Sequence, residues 1–137
     1  MKILRNSIVV ILGLIIGIII NMKIIVYGSS VVRYPSGVDP TNAESLKAGI
    51  HLLGFKHFMI PFAAHAIGSL IGAFIAARFS ASKHFTLALI VGGFFLIGGI
   101  SMAFILPNVP LWFCLLDIII AYIPMGYLGW KLSGKGK

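Results

Sequence analysis

Hydrophobic positions gather into four long blocks, at about residues 8–27, 58–78, 85–105 and 111–130. Polar residues enter each block only at isolated points and do not recur as an amphipathic stripe. Each block is close to the roughly 20 residues that an α-helix needs to cross a hydrocarbon core of about 30 Å. The pattern predicts an all-α polytopic membrane protein, a four-helix bundle forming a single membrane domain over residues 1–137. The first block follows a basic start, "MKILRN", as a signal peptide would. However, it is long enough to span, and no small-residue cleavage site follows it, so a retained helix is expected.

The segment between the first two blocks has order of its own. "YPSGVDP" is turn chemistry, with Pro and Gly setting the backbone. "TNAE" resembles a capping box, in which Thr41 would bond an early helix amide and Glu44 would reach back. "ESLKAGIHLL" then predicts a short interfacial helix at about residues 42–53. It would act either as a lid over the bundle or as a structured connector. A weak internal repeat aligns Gly13–Ile25 with Gly93–Ile105, matching Asn21 to Ser101.

Composition strengthens the membrane reading. The chain is 59% hydrophobic and 10% charged, with mean hydropathy +1.06, whereas soluble domains carry roughly 25% charged residues. The net charge of +8 is placed at the ends of the blocks and not along one face. That suits anchoring among membrane lipids and argues against nucleic acid as a partner. Lys2 and Arg5 precede the first helix, Arg78 and Lys83 lie between the second and third, and Lys131, Lys135 and Lys137 follow the fourth. By the positive-inside rule both termini are expected in the cytoplasm, with the chain in the plasma or inner membrane. The single cysteine, Cys114, excludes an internal disulfide and is expected simply to pack.

Candidate chemistry sits at one depth. Counting about 1.5 Å per residue from the outer ends, His65 lies roughly 10 Å deep, Asn21 and Asp117 about 9 Å, and Ser101 about 6–8 Å. On three helices these polar groups share a face with small residues: Gly13 and Gly17 with Asn21, Gly68 and Gly72 with His65, Ala121 with Asp117. Small residues mark packed faces in membrane helices, so these polar groups should point into the bundle. An ionised Asp in hydrocarbon costs at least about 2.5 kcal/mol, which makes Asp117 a functional candidate with His65 as partner. Glu44 would join them if its helix folds over the mouth. The set of ligand or proton-binding candidates is therefore Asn21, Glu44, His65, Ser101 and Asp117. No complete nucleophile or recognised metal-ligand spacing appears, so neither a catalytic site, nor a metal, nor a cofactor is expected. Pro124 should kink or loosen the fourth helix.

The stretches "AHAIGSLIGAF" and "LWFCLLDIIIAYIPMGYLG" resemble small bacterial four-helix integral membrane proteins with no assigned activity. Size and helix count also invite comparison with small multidrug resistance transporters, whose membrane-embedded Glu in helix one is here replaced only by Asn21. The expected function is to bind or move a small solute, ion or proton through a polar pocket in the outer half of the bundle. The alternative is an accessory subunit, a homo-oligomer or part of a larger membrane complex meeting its partner through glycine-rich helix faces, with the polar residues as packing glue.

Overall fold

The computed structural model describes residues 1–136, so Lys137 of the basic tail lies outside the described residues. The protein is all-helical: α1 Lys2–Val31, α2 Ala43–Gly49 running into a 3-10 turn at Ile50–Leu52, α3 Phe55–Phe79, α4 His84–Ile105, α5 Leu111–Ile120 and α6 Ile123–Trp130, with a terminal π turn Lys131–Lys135. Four segments are long and apolar enough to cross a membrane, the fourth built from α5, α6 and the π turn. It is a multi-pass membrane protein.

Helix α3 is the centre of the bundle, packing against α1, α4 and α6, whereas α1 and α4 barely touch. The reason is local. Gly13 and Gly17 of α1 cross Gly72 and Gly68 of α3 so closely that an added Cβ at Gly17 would stand 2.7 Å from the Gly68 carbonyl oxygen. Gly129 of α6 likewise meets the α3 backbone at Leu70, and Gly92 of α4 faces Gly126 of α6. Without a hydrophobic force between helices in lipid, this close backbone approach is what holds them. Most of the glycine faces of the spanning helices are thus consumed within the chain, whereas Gly93 and Gly98 of α4 meet open space.

Both termini and the α3–α4 connector share one end, here called the terminal face. Arg5 Nε donates to the Phe79 carbonyl (2.9 Å), and Asn6 accepts from the Ala81 amide (2.9 Å) and donates to Ser82 Oγ (3.2 Å). These bonds satisfy groups that the end of α3 leaves open. The opposite end, the far face, carries the α1–α3 segment and the α4–α5 turn.

That segment differs from the capping box expected of it. Asn42, not Thr41, caps α2, its side chain accepting from the Ser45 amide at 3.0 Å. Thr41 instead donates both its amide and its hydroxyl to Asp39 Oδ1, at 2.8 and 2.7 Å, and these bonds hold the Asp39 carboxyl below its ordinary range. The helix begins after Asn42 because Asp39 has already claimed Thr41. The fourth helix is also not continuous from 111 to 130. Pro124 offers no amide to the Ile120 carbonyl, and the chain breaks at Ala121 and Tyr122 before α6 restarts with Pro in its first turn.

Candidate functional site

Helix α3 brings His65 and helix α5 brings Asp117 to the same level. His65 Nδ1 stands 2.9 Å from both carboxylate oxygens of Asp117. The Tyr122 hydroxyl donates to Asp117 Oδ2 at 2.5 Å and lies 3.0 Å from His65 Nδ1, with its ring stacked on the imidazole. The carboxylate is the shared acceptor: Nδ1–H and the tyrosine O–H both point at it. Asp117 and Tyr122 are buried, while the His65 side chain keeps 20% of its surface. Among the described residues no protein group bonds His65 Nε2, so in the neutral ring its lone pair is directed away from Asp117.

Tyr122 is the member that the sequence pattern missed. Five residues from Asp117, it would stand about 140° away around a regular helix. The break before Pro124 turns it back onto the carboxylate. Pro124 was the available signal, because an interrupted helix can re-aim the residues just before it.

Two hollows meet at this triad. One, of about 150 Å³, lies beneath the far face; its walls include Phe58, His65, Phe113 and Asp117, and its roof is formed by Tyr34, Leu46, Ile50 and Leu53. The second, about 330 Å³, opens between α1 and α4 and is lined by Ile18, Asn21, His65, Phe94, Gly98 and Tyr122. His65, Gly99 and Met102 border both. On the other side, toward the terminal face, Ala73, Ala76, Ala77, Ala88 and Val91 are fully buried and form a floor of small, packed side chains. The triad thus faces the far side and the lipid flank, with a closed floor beneath it.

The roof is fastened by a chain of backbone economies. Pro61 lies inside α3 and has no N–H for the His57 carbonyl four residues back. The Tyr34 hydroxyl donates to that carbonyl instead, at 3.2 Å. His57 Nδ1 accepts from the Gly54 amide (2.9 Å) and its Nε2–H donates to the Arg33 carbonyl (3.2 Å), which fixes the tautomer and ties the segment after α1 to α3. Burial raises the Tyr34 phenol above its ordinary value, so it serves as a neutral donor. With these bonds made, the His65–Asp117 pair is the polar chemistry left facing the capped hollow.

The other candidates divide. Asn21 lines the α1–α4 groove beside His65 and packs over Gly68. Ser101 is exposed and its hydroxyl bonds the Ile97 carbonyl of its own helix at 2.8 Å, so it is not in the cluster; the repeat that paired it with Asn21 does not give the two residues equivalent places. Glu44 is also exposed and lines neither hollow, because α2 presents Leu46 inward and its first turn outward. No three His, Cys, Asp or Glu residues among those described gather as metal ligands. Comparison with family models, curated proteins and solved structures finds no match.

Proposed function

We propose that this protein binds a small amphipathic cation in the capped hollow, in competition with a proton on the His65–Asp117 pair. The observation that carries the proposal is the Nδ1–carboxylate contact of 2.9 Å at the junction of two hollows. With a neutral imidazole the pair has a net charge of −1 and offers the Nε2 lone pair and the carboxylate in an apolar setting. Protonation at Nε2 makes an imidazolium–carboxylate pair with no net charge, and the attraction for a cation is lost.

Packing glue is a weaker explanation of the same residues. Interhelical hydrogen bonds in membranes average about 0.6 kcal/mol, so the His65–Asp117 contact offsets only part of the cost of about 2.5 kcal/mol for the aspartate. Well-packed apolar side chains at these positions would carry no such cost, and buried ion pairs are often replaced by them without loss. The accessory-subunit alternative is further weakened by the glycine faces being occupied within the chain.

Size limits the solute. A cavity of about 150 Å³ accommodates a benzene-sized molecule. The groove between α1 and α4 supplies a route from lipid, and the closed alanine floor makes this a far-side binding state. Movement of the solute across the membrane would require that floor to open. The basic residues of the terminal face support a cytoplasmic terminal face with the roof outside, in a plasma or inner membrane.

Benzylamine and toluene, matched in shape, test the reading on detergent-purified protein. Benzylamine should bind more tightly than toluene above neutral pH, and Asp117→Asn should remove the difference while the protein stays folded. Equal binding of the two probes by the unaltered protein would refute it.

A further inference from the structure

Lys23 is a charge without an evident reason. It follows "IIINM" within α1, yet no carboxylate pairs with it: the one ion pair among the described residues is His65–Asp117. Its helix is 30 residues long, about 45 Å, against a hydrocarbon core of about 30 Å. A lysine at this height must lift its ammonium toward the headgroups, and an intramembrane base calls for a partner.

The partner's shape is set by an apolar groove between α1 and α3, separate from the triad. It is lined by Ile24 and Gly28 of α1 and by Ile60 and Ala63 of α3, with Lys23 and Lys56 at its edge and no acid among its lining residues. Gly28 lies against Ile60 and Gly17 against Gly68, a register that puts Lys23 level with about Ala63. Lys56 is therefore about 10 Å nearer the far face. A stem rising from Lys23 and a head already at the surface from Lys56 converge on the headgroup layer. Below them the groove offers an apolar bed.

We infer that the α1–α3 groove is a binding site for an anionic phospholipid of the far-face leaflet, its phosphate held by Lys23 and Lys56 and one acyl chain laid over Gly28 and Ile60. Charge decides the occupant. A second copy packed face to face on this groove would bring four ammonium groups together with no acid between them. A lipid phosphate neutralises the two that are there.

Native mass spectrometry of the full chain, released from micelles containing equal phosphatidylglycerol and phosphatidylcholine of the same acyl chains, reads the preference. The protein should retain phosphatidylglycerol selectively, each lysine contributing about fivefold. Lys23→Gln with Lys56→Gln should abolish the selectivity without lowering thermal stability, while Lys47→Gln, on exposed α2, should keep it. Equal retention of the two lipids, selectivity that survives the double substitution, or a dimer that the double substitution disrupts would each overturn the assignment. The readout is lipid retention alone, so it stands or falls independently of cation binding at His65.

Discussion

Pro61 shows how one residue reaches the site through others. It withholds an amide, the His57 carbonyl is left open, and Tyr34 arrives from another segment to fill it. Tyr34→Phe should therefore lower stability by about 1 kcal/mol, since a buried carbonyl loses its donor, and thermal unfolding in detergent checks it. Ser69 predicts the opposite sign. Its hydroxyl is fully buried and has no partner among the described residues, so Ser69→Ala should leave stability unchanged or raise it by up to about 1 kcal/mol. A clear loss of stability in Ser69→Ala would show that this hydroxyl is satisfied. At this scale His65 and Asp117 were legible, because charge in an apolar run is costly and their depths agreed. Glu44 and Ser101 are not brought to the pair, because neither a helix lying over the mouth nor a matching depth fixes which way a side chain faces. Ser101 satisfies itself on its own helix, as hydroxyls in apolar helices do.

Among the elements, the crossing of α1 and α3 carries the most. Gly17→Val would drive a side chain into the Gly68 carbonyl, and the helices must part. Overpacking of this kind costs about 1–3 kcal/mol. Gly93→Ala is the matched control, since nothing lies within 4 Å of the added methyl, and its melting temperature should hold or rise. Equal destabilisation by the two changes would contradict the close crossing. The existence of the four spans was legible from block length, which follows from bilayer thickness. Their ends were not: α1 starts at Lys2 and runs to Val31, beyond the apolar block, because helix hydrogen bonding continues after hydrophobicity stops. The split of the fourth span was foreshadowed by Pro124, but the return of Tyr122 onto Asp117 depends on tertiary packing that no periodicity encodes.

For the molecule as a whole, the two ends are chemically unequal. The terminal face gathers Lys2, Arg5, Arg78, Lys83, Lys131 and Lys135, whereas the far face mixes Arg33, Lys47 and Lys56 with Asp39 and Glu44. In a Cys114→Ala background, cysteines placed at Ser36 and Asn108 should react with an impermeant reagent from outside intact cells. Labelling only after the cytoplasm is exposed would invert the orientation. The roof and the lateral groove both border the His65–Asp117 pair, which is the arrangement the proposed binding of a solute from the far side or from lipid requires.

The competition between proton and cation is the centre of this account, and proton release measures it directly. Benzylamine binding is followed by titration calorimetry in buffers of differing ionisation enthalpy at a series of pH values. Where the pair carries its proton, close to one proton should leave the protein for each benzylamine bound. Where the pair has already lost that proton the number should fall to zero, and Asp117→Asn should abolish the linkage. Binding that releases no proton at any pH would contradict the account.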